Sequence, residues 1–220
     1  MKLVLVIGLF FLFTLEVSAQ WTSHVPLNPD VNTQYLFYLH GGVVQAQGLP
    51  AVSSYYGKYE YKDIVHKLSE QGFHVISEVR PKDSEEKAYA AKVSAQIDSL
   101  IRQGVPNKNI SIVGASLGAY ITMEVALLRN ESKLKYALLG LCSKYAVDLY
   151  RIHKMELKGK FYSIYEVSDT KTSCQPLFDS ANSESPFEEL KLDMGLDHAF
   201  LFKPYKEWLI PLTAWIKSSD

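Results

Sequence analysis

Cysteine is scarce, with only Cys142 and Cys174 in 220 residues. Two spaced thiols without clustered histidines exclude a dense disulfide framework and make a poor zinc site, leaving at most one bridge in an oxidising compartment. Net charge is nearly missing too: 23 Lys and Arg stand against 24 Asp and Glu, a formal −1. No basic face follows from that balance, so nucleic acid is not an expected partner. The first apolar run of the body is followed by neither GxGxxG nor a Lys-containing phosphate loop, which argues against nucleotide binding. There is no internal repeat, low-complexity tract or interdomain linker, and the length suits one domain with a single core.

Long apolar runs are limited to the N-terminus. Lys2 precedes an almost unbroken apolar stretch over 3–15, and Val17-Ser18-Ala19 offers small residues where a signal peptidase cuts. The run is shorter than the roughly 20 residues that span a bilayer. Residues 1–19 therefore read as a cleaved signal peptide, with 20–220 as the mature domain, exported to a periplasmic or extracellular space without stable membrane insertion. No cysteine near the cut suggests a lipid anchor.

Apolar runs of five to seven residues alternate with amphipathic stretches, the pattern of successive βα units. Six strands are predicted, at 35–39, 73–79, 110–114, 136–141, 161–167 and 190–194. The first five are near-continuously apolar, as strands covered on both faces must be, while the last alternates and reads as an edge. Helices are predicted over 61–71, ending at Gly72, and over a segment that Asp83 and Glu86 open as a capping box. The buried stripe of the latter is Tyr89, Val93, Ile97, Leu100 and Ile101. Two more helices cover 117–128 and the segment around Trp208, Leu212, Trp215 and Ile216. The expected architecture is a three-layer α/β/α sandwich with a mostly parallel sheet of about six strands.

Gly114-Ala115-Ser116-Leu117-Gly118 lies between a strand and a helix and fits a nucleophile elbow. A strand turning sharply into a helix strains its apex, so the residues two positions away on either side must be small. The same turn lifts the Ser116 hydroxyl above the sheet and puts the Leu117 amide at a helix N-terminus, where it can donate to an oxyanion.

Leu39-His40-Gly41-Gly42, at the end of the first strand, resembles the oxyanion-loop motif of α/β-hydrolases. Two glycines let backbone amides point inward, making Gly42 or Val43 the second donor. That resemblance implies a base far later in the chain and leaves His40 a structural role. Of the other histidines, His24 lies near the mature N-terminus, His66 and His153 fall in polar stretches, and His74 sits at the N-terminal end of a strand. Chemistry in such sheets occupies the carboxyl ends. His198, in a turn after the last strand, remains. Its orienting carboxylate belongs after the strand between elbow and histidine, which selects Asp169, with Asp148 in reserve and Glu166 directed into a flanking layer.

From oxyanion loop to terminal helix, the chain resembles the α/β-hydrolase superfamily. Tyr56-Gly57-Lys58-Tyr59-Glu60-Tyr61 and Ile76-Ser77-Glu78-Val79-Arg80 look like small exported bacterial members. The resemblance implies a serine hydrolase acting on a small-molecule or acyl-ester substrate through Ser116, His198 and Asp169, with no metal and no organic cofactor. Thioester and peptide substrates, or a non-catalytic binding protein of the same fold, are the alternatives. Too little chain precedes Tyr35 for both customary antiparallel leading strands, and no helical cap follows Leu141, so an open cleft is expected. The segment 43–58 is placed along it, with Tyr55, Tyr56, Glu78 and Arg80 as candidate substrate contacts. A Cys142–Cys174 bridge steadying the acid loop is an open alternative.

Overall fold

The computed structural model describes residues 20–129, 133–152, 157–180 and 185–218. Residues 1–19, read from the sequence as a signal peptide, and His153 lie outside them. In chain order the elements are β1 (Gln20–Thr22), β2 (Gln34–Leu39), α1 (Gly42–Gln47), β3 (Ala51–Ser53), β4 (Gly57–Tyr59), α2 (Tyr61–Ser69), β5 (Phe73–Ile76), α3 (Glu86–Arg102) and β6 (Ile110–Ala115). Then follow α4 (Leu117–Arg129), β7 (Lys135–Leu139), α5 (Lys144–Ile152), β8 (Lys160–Glu166), α6 (Gln175–Ser180), β9 (Phe187–Leu192) and α7 (Lys206–Lys217).

Seven strands form one sheet in the order β1-β5-β2-β6-β7-β8-β9, and each neighbouring pair runs parallel. The β-period of two splits β2 between two cores. Tyr35, Phe37 and Leu39 face the layer holding α3 to α6, whereas Leu36 and Tyr38 face α2 and α7. The helical periods agree: Tyr89, Val93, Ile97 and Leu100 of α3 are buried, as are Ile64, Val65 and Leu68 of α2.

From β2 the chain crosses to β5 on one side, then returns past β2 to β6 on the other. Adjacent connections leaving a sheet in opposite directions open a crevice at the strands' carboxyl ends. That switch point lies between β2 and β6, where the His40 loop and Ser116 sit.

Several local expectations are corrected. The sheet has seven strands because Gln20–Thr22 adds a three-residue edge beside β5. This single leading strand is parallel, not antiparallel. The segment 43–58 is not an unstructured connection, since it contains α1 and the antiparallel β3–β4 hairpin. The Asp83–Glu86 capping box does not form, because α3 begins only at Glu86 after an extended Glu85 that makes no side-chain cap.

Candidate active site

Ser116 occupies the junction of β6 and α4 with φ of 53°, a left-handed conformation rare for a residue with a side chain. The flanking glycines explain how the turn is tolerated. A Cβ on Gly114 would lie 2.2 Å from the Gly118 carbonyl oxygen, and one on Gly118 would lie 1.8 Å from the Leu39 carbonyl oxygen. Neither position admits a methyl group. The Ser116 amide is fixed from the other side by donating to Leu139 O at 2.9 Å.

The turn aims the hydroxyl at an imidazole 82 positions away. His198 Nε2 is 2.9 Å from Ser116 Oγ, and His198 Nδ1 is 2.5 Å from Asp169 Oδ2. A carboxylate acceptor at Nδ1 puts the proton on that nitrogen, so Nε2 faces the hydroxyl as an acceptor. Asp169 follows β8, and its Oδ1 also accepts the Lys171 amide at 3.1 Å. Burial pushes its carboxyl up, but the His198 hydrogen bond and charge, with the nearby backbone donors, more than offset this and hold it below its ordinary value. The reserve carboxylate, Asp148, lies elsewhere, on α5 and paired with Lys144 at 2.6 Å.

Four residues outside the sequence-based selection hold this arrangement. Glu166, fully buried at the end of β8, accepts the Met194 amide at 2.9 Å and the Ser168 hydroxyl at 3.2 Å. Ser168 Oγ in turn accepts the Asp197 amide at 2.9 Å. Glu166 thus does not merely face a flanking layer: it ties the acid turn to the histidine turn. Asp197 has φ of 51° and its Oδ1 accepts the His198 amide at 2.7 Å. Gly140, at φ of 62°, has no Cβ where one would meet the His198 ring. The only sequence signal for these was position, each being a turn-former or carboxylate at a strand's carboxyl end.

The His40 loop lies against the elbow. A Cβ on Gly41 would be 3.6 Å from Ser116 Cβ, and one on Gly42 would be 3.6 Å from Leu117 Cδ2. Gly42 and Val43 begin α1 and Leu117 begins α4, where helical geometry leaves amides without intrahelical acceptors. His40 Nε2 accepts the Arg80 amide at 2.9 Å, so Nδ1 carries the proton and donates to Gly41 O at 2.9 Å. Burial, reinforced by the Arg80 guanidinium, lowers the His40 pKa to about 3. His40 is a neutral brace of the loop.

Arg80 is corrected as a substrate contact. Arg80 is 1% exposed, donating to His40 O and, at 2.9 Å, to Gln45 Oε1. Its side chain supports α1 from beneath. Glu78 accepts from the Tyr89 hydroxyl at 2.9 Å and from Lys92, so the two do not pair with each other. The two tyrosines sit together in the turn between β3 and β4, their ring centroids 6.4 Å apart. Tyr56 comes within 6.2 Å of the His198 ring, centroid to centroid, whereas Tyr55 is 91% exposed at the tip.

Cys142 and Cys174 are joined by a disulfide across 32 positions, enclosing β8 and the Asp169 turn. Among the described residues no group of three or more His, Cys, Asp or Glu is arranged to hold a metal ion, and no helix is long and apolar enough to cross a membrane.

The sequence matches no protein-family profile and no curated protein. Solved structures do resemble it. Arabidopsis thaliana SOBER1 superposes with a TM-score of 0.55 at 15% identity, covering 84% of this chain and 98% of its own. A Klebsiella pneumoniae protein described as a dienelactone hydrolase gives 0.55 at 16%, covering 88% and 90%. A Pyrococcus furiosus esterase gives 0.55 at 12%, covering 86% and 82%. The parallel sheet flanked by helices, the strained serine between β6 and α4, and these likenesses identify the architecture as the α/β-hydrolase fold.

Proposed function

We propose that this protein is an exported serine hydrolase that cleaves carboxylic esters through Ser116, His198 and Asp169. The observation that carries the reading is the continuous path from Ser116 Oγ through both imidazole nitrogens to Asp169, at 2.9 and 2.5 Å. Ser116 Oγ attacks the ester carbonyl carbon while His198 Nε2 takes its proton. The resulting oxyanion accepts hydrogen bonds from the amides of Leu117 and of Gly42 or Val43. Collapse of the tetrahedral intermediate breaks the carbon–oxygen bond, and His198 returns the proton to the departing alcohol. Water, deprotonated by the same nitrogen, then attacks the acyl-enzyme and releases the acid. Asp169 fixes the tautomer and stabilises the imidazolium. The cycle calls for no metal or organic cofactor. Hydrolase names among proteins of similar fold, and the disulfide, which favours an oxidising compartment, support the reading.

Hydrolysis of p-nitrophenyl acetate should fall by about 10⁴-fold or more in Ser116→Ala, with the urea midpoint near wild type. A fluorophosphonate probe should label wild type at Ser116. Folded protein that takes no label, or an active Ser116→Ala, would mean a non-catalytic binder on the same scaffold.

A further inference from the structure

A cavity of about 450 Å³ starts at Leu117, the residue after the proposed nucleophile, and extends between the N-terminus of α3, the flank of α4 and α5. Its wall combines two chemistries. Tyr120, Tyr145 and Tyr150 contribute aromatic surface, while Glu85, Glu86 and Glu124 contribute carboxylates against the single cation Lys87. Lys144 of α5 is not turned to this wall's carboxylates, since it pairs with Asp148.

An ordinary surface accounts for part of this, because acids at a helix N-terminus are stabilised by the helix dipole and Glu85 and Glu86 begin α3. That does not account for Glu124, past the midpoint of α4, or for Tyr150. Tyr150 is only 3% exposed, lines the cavity, and its hydroxyl has no hydrogen-bond partner among the described residues. The hydroxyl oxygen itself is not among the fully buried atoms, so it opens to the cavity, where a bound donor can take the place of water. Burial pushes that hydroxyl's pKa up, and Glu124, Tyr120 and Glu86 push it the same way, so negative charge converges on this point. A group that donates to a hydroxyl oxygen, answers excess negative charge and rests on aromatic faces is an alkylammonium.

We propose that this cavity binds a protonated alkylamine carried by the substrate, making amine-bearing esters the preferred class. The catalytic half of the inference rests on the hydrolase reading above, while the binding half does not.

The two halves are measured separately. On Ser116→Ala protein, n-butylammonium chloride should be bound in a calorimetric titration and 1-butanol should not. Glu124→Gln and Tyr150→Phe should each weaken n-butylammonium binding about fivefold or more. On wild-type protein, N-acetyl-lysine methyl ester should exceed N-acetyl-norleucine methyl ester about tenfold in kcat/KM, a ratio that shrinks in high salt and in Glu124→Gln. Protonated 2-(dimethylamino)ethyl acetate against 3-methylbutyl acetate tests a donating cation on the alcohol side, and a preference in either pair supports the proposal. Absent n-butylammonium binding together with parity in both ester pairs overturns it, while leaving the hydrolase reading intact. Binding without hydrolysis of any ester overturns the hydrolase reading and keeps the cavity.

Discussion

The backbone of Gly140 lies directly against the imidazole of His198: a Cβ built on this glycine would stand 3.1 Å from His198 Cε1 and 3.1 Å from Leu201 Cδ1. Gly140 also has φ of 62°, a conformation that costs a residue with a side chain roughly 1–2 kcal/mol. A methyl group here both strains the turn after β7 and pushes the ring away from the Ser116 hydroxyl. Gly140→Ala is therefore expected to lower kcat about tenfold and stability by about 1 kcal/mol, because small displacements of a catalytic group cost rate steeply. Ester hydrolysis at the wild-type rate, with the urea midpoint unchanged, would show that the ring has room to move.

The His40 loop makes a prediction about acid. In the folded protein the His40 pKa is lowered to about 3, against about 6.5 for an exposed histidine in the unfolded chain. The unfolded state thus binds the extra proton between these values, and folding stability is fully present above pH 6.5 and falls as the pH drops towards 3. Asp169, held below its ordinary value, acts with the same sign at the acid end. One such proton contributes a slope of up to about 1.4 kcal/mol per pH unit. Urea unfolding at pH 7, 6, 5 and 4 should show a shallower decline in His40→Asn than in wild type. Parallel curves would mean that His40 protonates freely in the folded protein.

Legibility in the sequence followed the range of the interactions. Strands β2, β5, β6, β7 and β8 were readable because each carries a near-continuous apolar run between turn signals, a local property. The elbow was readable because its pattern occupies five consecutive residues between a strand and a helix, although the contact that forces Gly118 is with the distant Leu39 carbonyl. Strand β1 was not, since Gln20–Thr22 is three residues long and has no period of its own; only the exposed edge of β5 makes it a strand. The β3–β4 hairpin was missed for a similar reason, and with it the path by which Tyr56 reaches His198. Arg80 was misread because its partners, His40 and Gln45, are 40 and 35 positions away. Glu166, buried and bonded to residues some 28 positions on, carried no mark distinguishing it from any strand-end carboxylate.

The Cys142–Cys174 bridge closes a loop around β8 and Asp169. By loop-closure entropy a constraint of this length stabilises the fold by about 3 to 4 kcal/mol. Its ends also organise the acid turn: the Thr172 amide donates to Cys142 O at 2.6 Å, and the Cys174 amide donates to Glu189 at 2.7 Å. Reduction, or the double substitution Cys142→Ala with Cys174→Ala, should lower unfolding free energy by about that amount and weaken activity at denaturant concentrations where the sheet is still folded. If activity and far-ultraviolet dichroism are lost together in urea, the bridge acts on the whole fold and not on the acid turn.

Glu166 offers the sharpest test of how the Asp169 and His198 turns are held in register. Its carboxylate accepts from the Met194 amide and the Ser168 hydroxyl, and Ser168 passes the connection to Asp197 beside His198. In Glu166→Gln the carboxamide keeps the shape but turns an NH₂ towards one of these donors, leaving a buried polar group unmatched at a cost of about 1–3 kcal/mol. Because Glu166 touches the turns and not the substrate, kcat should fall several-fold while KM changes little, as expected when a group acts only by positioning others. Glu166→Asp, which retains the charge on a shorter stem, should recover part of the rate. A change confined to KM would place Glu166 in substrate binding, and an unaltered kcat would mean that the two turns hold their register without it.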